Sequence, residues 1–468
     1  MTAGTEERRS LRPLAGVLAA MSVAITGTRI STIALPWFVL VTTGSATQTG
    51  LVAFCEMAPY VLVKMFSGPL VDRVGPRLIS WTTDLVSALA VALVPLLHAF
   101  DLLPFWGLLA LVAVIGSARG PGDLAKEIMI PEAADRSRVP LERATGLSGT
   151  TERLASTIGP AAGGALVALL GPMTGLAVNA GCFALGSLLI WLLLPRGMGQ
   201  PIRPESTGEE PEPGYWQRFR EGFAFLRGER LLLAIILVVG VTNLLDAAFA
   251  TVLLPVWAKE SDNGAAVLGL LVSTMGGAAV LGSLIAAAIA HRMRRRPVFF
   301  LGFLLVGAPR FLVLAMDVPL VTMLAVFAIA GFGSGFLNPI LGAIAFERVP
   351  RRLLGRVNAL GDSVAWAGIP FGGLLAGAAI STIGLSPALV VAGTLYFLTT
   401  NLGGLRPEWR EMDRLRGKGR APDPPPGLVP DPNPGPAPGP VPVQEHSRAP
   451  SAGRDDREPG TREFGGRE

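Results

Sequence analysis

Residues 230–257 read RLLLAIILVVGVTNLLDAAFATVLLPVW, and after Arg230 only Asp246 carries a charge. A hydrocarbon core about 30 Å thick is crossed by roughly 20 apolar helical residues at about 1.5 Å each, so this stretch reads as a membrane span with a carboxylate inside it. Comparable runs follow at 265–290, 297–316, 319–346, 353–382 and 386–405, and precede it at 13–41, 48–70, 77–98, 104–130, 143–170 and 173–195. The pattern therefore comes as two sets of six. The expected fold is an all-α membrane protein of twelve transmembrane helices in two pseudo-symmetric six-helix bundles. Only 16% of the 468 residues are charged while 50% are hydrophobic, which excludes an ordinary soluble domain.

The net charge of +5 does not mark a nucleic-acid binder, because the arginines lie in short loops rather than on one basic face. Arg73 and Arg77 follow the second run, and Arg136, Arg138 and Arg143 the fourth. Arg292, Arg294, Arg295 and Arg296 follow the eighth, and Arg348, Arg351 and Arg352 the tenth, whereas the alternate loops offer only Lys259. The positive-inside rule then predicts a multi-pass protein of the plasma (inner) membrane with both termini cytoplasmic. The first run is too long for a signal-peptide core and is expected to be retained. Cys55 and Cys182 lie inside apolar runs and show no metal-ligand spacing.

Five regions follow: residues 1–12 as a cytoplasmic N-terminus, 13–195 as the first bundle, 196–229 as a linker, 230–405 as the second bundle and 406–468 as a tail. In the linker, Tyr215, Trp216, Phe219, Phe223, Phe225 and Leu226 alternate with Arg218, Arg220 and Arg227 at helical spacing, which predicts an amphipathic helix on the membrane surface. The tail is charged and then Pro/Gly-rich, too poor in apolar residues to offset the entropy of ordering, and is expected to be disordered.

The two halves echo each other. Asp123-Leu124 with Pro131-Glu132 matches Asn338-Pro339 with Phe346-Glu347, Arg143–Leu147 (RATGL) matches Arg356–Leu360 (RVNAL), and Gly159–Gly164 (GPAAGG) matches Gly372–Gly377 (GGLLAG). Duplicated six-helix bundles are the architecture in which a site between the halves is exposed to alternate faces as they rock.

The loop after the second run reads Gly68-Pro-Leu-Val-Asp72-Arg73-Val-Gly75-Pro-Arg77. It resembles the loop signature of the major facilitator superfamily, G-x-L-x-D-R-x-G-R-[RK], with Pro76 in place of the first basic residue of the closing pair. Gly146, Ala155 and Gly159-Pro160-Ala-Ala-Gly163-Gly164 in the fifth run are similar to the motif of drug:proton antiporters, with Ala155 where that pattern has Gly. The wider text, including Ala34-Leu-Pro36 and Leu354-Gly-Arg-Val-Asn358, resembles macrolide and enterobactin exporters. The resemblance implies a secondary active transporter with no cofactor beyond a proton gradient, acting as a monomer on a small amphipathic organic substrate such as an antibiotic, macrolide or siderophore. It implies a conformational gate at Gly68, Asp72, Arg73, Gly75 and Arg77 set against residues 353–356. It also implies close packing by Gly146, Gly159, Pro160, Gly163 and Gly164. An importer or uniporter of a small metabolite and a transporter-like sensor are the alternatives.

Charges inside spans are the candidate substrate and coupling residues, because an unpaired charge in hydrocarbon costs several kcal/mol. Arg29 and Asp246 lie at similar depths, roughly 24 Å into the first and seventh runs, and are expected either to pair across the cavity in one conformation or to form a purely structural ion pair. Glu56, roughly 12 Å from the far end of its run, is a candidate proton carrier or a carboxylate at a vestibule rim. Arg119 and Asp123 with Lys126 and Glu127 in the fourth run, and Glu152 and Arg153 in the fifth, form the densest buried charge network, read as a coupling relay or a static brace. Asp84 and Asp362 are buried by depth. Lys64 is expected to snorkel to the interface. The sequence has no phosphate-binding loop, metal cluster or nucleophile elbow, so an enzyme is not expected.

Overall fold

The computed structural model describes residues 10–200, 215–289, 293–349 and 351–402, together with Trp409 and Met412. The first half begins with α1 (Arg12–Thr43), which stops where Gly44 adopts a φ of 69° and donates its amide to Leu40 O. That left-handed cap favours glycine. Ser45 then opens α2 (Ala46–Phe66), its hydroxyl accepting from Gln48 N at 3.2 Å. A short α3 (Gly68–Val74) leads through Gly75, at a φ of 96°, into α4 (Pro76–Ala99). The half is completed by α5 (Phe105–Arg136), α6 (Leu141–Leu170) and α7 (Pro172–Leu193). All six spans of this half are unbroken helices, in spite of prolines at 36, 59, 95, 121, 131 and 160.

After α8 (Tyr215–Gly228) the second half is jointed. Its first span is α9 (Arg230–Ala248), a π-helical turn Phe249–Leu253 and α10 (Leu254–Glu260). Pro255 supplies no amide donor and crowds the preceding turn, which is a sufficient cause for the wide turn before it. There follow α11 (Gly264–Ile289), α12 (Arg295–Val306) with α13 (Ala308–Leu314), α14 (Leu320–Ser334) with α15 (Leu337–Arg348), α16 (Arg351–Trp366) with α17 (Ile369–Ile383), and α18 (Leu385–Phe397) ending in a π turn, Leu398–Leu402. The joint at Gly307 has a local cause. A Cβ there would stand 2.4 Å from the Tyr396 ring, so only glycine lets the chain turn against that side chain.

Each half thus contributes six spans, and the twelve-helix reading holds. Helices present leucine and valine outwards, as Leu85, Leu89, Leu169, Leu192 and Val321 do, which suits a lipid solvent. Helix α8 is docked on the second half: Leu226 is buried with Leu232, Ile236, Val349 and Val357. The packed region extends beyond the expected limit at 405, because Trp409 and Met412 are both buried. The Trp409 ring lies 5.4 Å from Phe299 and 5.2 Å from Phe300. The remainder of the tail, residues 201–214 of the linker, and His291 and Arg292 fall outside the described residues.

The halves meet along α2 with α17 and α6 with α11. The seam is made by glycine. A Cβ on Gly50 would be 2.2 Å from Gly373 O, one on Gly377 2.7 Å from Ala46 O, and one on Gly164 2.6 Å from Ala265 O. These approaches fall in the half of the molecule away from the arginine-rich loops. Two side chains reinforce them there, Thr47 Oγ1 donating to Gly377 O at 3.3 Å and Lys259 Nζ to Leu40 O at 2.8 Å.

Candidate functional site

Small residues bring α2 and α5 together: a Cβ at Gly116 would meet Glu56 O at 2.0 Å and one at Gly120 would meet Tyr60 O at 2.9 Å. This contact aligns four side chains from two helices. Arg119 Nη1 donates to Glu56 Oε1 at 3.0 Å, and its Nε lies 3.7 Å from Asp123 Oδ2. Tyr60 Oη donates to the same Asp123 oxygen at 3.4 Å, and the guanidinium sits 4.5 Å above the Tyr60 ring. One cation thus serves two carboxylates and an aromatic face. The planar guanidinium donates to Glu56 while its Nε edge lies at ion-pair distance from Asp123, which an ammonium could not do with the same geometry. Glu56 and Arg119 also border a small cavity with Thr28, Ser31 and Asn179.

A second cavity, about 300 Å³, lies between the halves and is lined by Glu152, Arg153, Ser156 and Thr157 of α6, Gly276 and Val280 of α11 and Asn338 of α15. Arg153 Nη1 crosses it to donate to Ser283 Oγ at 2.8 Å. Lys64 does not snorkel outwards as its depth suggested. It pairs with Glu127 at 3.4 Å and lies 5.1 Å from the centre of the Trp366 ring in the other half. Trp366 is four residues from Asp362 on the same helix, and Lys64 acts electrostatically on that carboxylate.

The expected Arg29–Asp246 pair is not formed in this conformation. Asp246 is held by Arg310, which is only 5% exposed and lies against the rings of Phe249, Phe311 and Tyr396. Arg29 lies instead against α6, where a Cβ on Gly159 would be 2.4 Å from its own Cβ, and within the fields of Glu152 and Arg119. Depth along a helix matched the two residues, but each is engaged within its own half. Sequence reading missed Arg310 and Tyr60 altogether. It left Asp84 without a partner, and the structure gives it Lys126 at 2.7 Å.

In the gate motif, α3 packs on α2, α4 and α5. Asp72 and Arg73 are exposed, Gly75 takes the positive φ that its residue type permits, and Arg77 Nη2 donates to Trp191 O at 3.1 Å. The side chains of residues 353–356, its expected counterpart, lie outside the described residues. The antiporter-like motif faces two ways. Gly159 and Gly163 receive α1, while Gly164 and the Pro160 carbonyl receive Gly269 of α11. Gly146 has open space around it, so close packing does not account for that position.

The model of the transmembrane secretion effector family matches residues 13–442. The chain belongs to this major facilitator family. The chain is 31% identical to the multidrug efflux pump Tap of Mycobacterium tuberculosis, over 85% of its own length and 94% of that protein. It is 20% identical to macrolide efflux protein A of Streptococcus pyogenes, over 85% of this chain and 96% of that one. Its fold matches the nucleoside transporter NupG with a TM-score of 0.66 at 12% identity, over 84% of this chain and 98% of that one. It also matches a bacterial homologue of the lysosomal transporter Spinster with a TM-score of 0.64 at 16% identity, over 88% and 99%. The chain is therefore a multi-pass membrane transporter and not an enzyme.

Proposed function

We propose that the protein exports amphipathic organic compounds from the cytoplasm in exchange for protons, by alternating access, from the plasma membrane and with both termini cytoplasmic. The observation that carries the reading is one buried arginine, Arg119, shared between Glu56 and Asp123 in the interior of one half. A proton on Glu56 leaves Arg119 to Asp123 alone, and loss of that proton draws the guanidinium back. Protonation is thereby converted into a change of partner, the kind of two-state element that an ion gradient can bias. The cavity between the halves offers Glu152, Arg153 and Asn338 beside Gly276 and Val280, a mixture suited to a molecule with both polar and apolar faces. The arginine-rich loops support the orientation. With that orientation, the glycine seam closes the outer side and the described conformation is inward-facing.

The test uses everted membrane vesicles containing the full chain and radiolabelled erythromycin. An inside-acid gradient should drive accumulation, and nigericin should abolish it. Accumulation indifferent to nigericin would remove proton exchange. Uptake by right-side-out vesicles driven by an outside-acid gradient would make the protein an importer.

A further inference from the structure

Helix α4 is inside out. Its outward positions are Leu78, Leu85, Val86, Leu89, Leu93 and Leu96, while Ser80, Asp84 and Ser87 lie on its buried face. The spacing of four and then three residues puts all three on one stripe. Asp84 and Lys126 of α5 are each 2% exposed, with Lys126 Nζ 2.7 Å from Asp84 Oδ1. Among the described residues Asp84 Oδ2, Ser80 Oγ, Ser87 Oγ and Asn179 Oδ1 are buried with no protein partner. Three of these atoms share the α4 stripe, which is unusual because buried polar groups are almost always satisfied.

The stripe continues. One and two turns beyond Ser87, Val91 and Val94 border the small cavity that Glu56, Arg119 and Asn179 also line. Its volume is about 10 Å³, close to the room needed by a single water molecule. Lys126 and, one turn away, Asp123 are the charged groups acting on Asp84. Helix α7 brings Gly186, where a Cβ would lie 3.2 Å from Asp84 Oδ2, and Ser187, whose hydroxyl donates to Trp81 O. Behind Gly186 stand Ala20 and Ala24 of α1. The free carboxylate oxygen therefore has no competing donor on that side.

We infer that this stripe is a proton path inside the N-terminal half, separate from the substrate cavity, joining Glu56 to Asp84 through Ser87 and emerging past Ser80 toward the arginine-rich face. The inference rests on the proton-exchange reading above. In the transfer the Glu56 carboxyl loses its proton and becomes a carboxylate paired with Arg119. Ser87 Oγ and Asp84 Oδ2 have no protein partner within hydrogen-bonding distance, so the proton crosses to the Ser87 hydroxyl and on to Asp84 Oδ2 through bridging water. Oδ1 continues to accept from Lys126, and the total charge of the half does not change. Ser80 offers the next hydroxyl along the stripe, one turn away.

Ser87→Ala tests this in proteoliposomes of the full chain, because it removes the hydroxyl without adding volume at a fully buried position and leaves both ion pairs intact. Gly186→Ala is a second variant that crowds Oδ2. Two fluxes of radiolabelled erythromycin are compared: one driven by a pH gradient, and exchange at equal pH, which needs no net proton movement. The gradient-driven flux and the accompanying proton uptake should fall by about tenfold or more in both variants, with exchange within about twofold of wild type. Equal loss of both fluxes, or of neither, overturns the path and leaves Asp84–Lys126 a structural brace. If the wild type itself ignores the gradient, the proton-exchange reading fails first and the path with it.

Discussion

Gly50→Ala should loosen the closed seam and shift the protein away from the described conformation. The added methyl would be 2.2 Å from Gly373 O and 2.8 Å from its carbonyl carbon, where ordinary contacts begin at 3.4 Å. Both atoms belong to backbone, so rotamer changes cannot relieve the clash. The helices are close along the whole seam, since a Cβ on Gly377 would also be 2.7 Å from Ala46 O and one on Gly373 3.1 Å from the Ala53 methyl. The helices must part by about 1 Å, and overpacking of this kind costs about 1–3 kcal/mol. A conformation in which α2 and α17 are separated here does not bear that cost. The ratio of the two should therefore move by about 5- to 150-fold. Spin labels at Thr43→Cys and Thr382→Cys, two exposed positions near the ends of α1 and α17, report the separation when Cys55 and Cys182 are replaced by serine. Pulsed dipolar spectroscopy in nanodiscs should show a longer distance gaining population in Gly50→Ala. A distance distribution identical to the parent's, in a variant that melts normally, would refute the reasoning that glycine contacts hold the seam.

Arg119→Lys keeps the charge but gives up the fork shared by Glu56 and Asp123 and the stacking on Tyr60, so gradient-driven efflux should fall by about tenfold or more while the protein still folds; wild-type flux would remove the two-carboxylate mechanism. Arg310→Met removes the charge-assisted hydrogen bond to the partly exposed Asp246 and should lower stability by about 1–3 kcal/mol, with most of it regained in Asp246→Asn/Arg310→Met. Thermal melts decide, and a single variant as stable as wild type would show that Asp246 does not depend on Arg310. Trp409→Ala should lower the melting temperature through loss of about 3–5 kcal/mol of aromatic packing on Phe299 and Phe300. Truncation after Arg420 should leave melting and flux unchanged, and a truncation that destabilises as much as Trp409→Ala would place the anchor farther along the chain.

The helices were legible because hydrocarbon imposes length and apolarity on every span, and the runs predicted at 13–41 and 143–170 match α1 and α6 within about two residues. Local chemistry also reached Gly75, whose turn needs a positive φ. The charge network on α5 was readable because Arg119 and Asp123 are four residues apart and so share a helix face. Partners distant in sequence were not. Asp84 and Lys126 are 42 positions apart and Asp246 and Arg310 are 64 apart. Which helix faces which is decided by side chains that periodicity in a uniformly apolar span does not distinguish. The joint at Gly307 was partly legible, since Pro309 opens the next helix, but the need for a glycine there comes from Tyr396, which is remote in sequence.

The contrast between unbroken spans in one half and jointed spans in the other has a mechanical consequence. A continuous helix transmits displacement along its whole length, whereas a segmented one can absorb it at the seams. Glu56, Asp84, Arg119 and Asp123 stand on the stiff side, so the spacings within that set travel together as a block while compliance is left to the opposite half. The two halves echo each other in sequence, but their elastic roles differ.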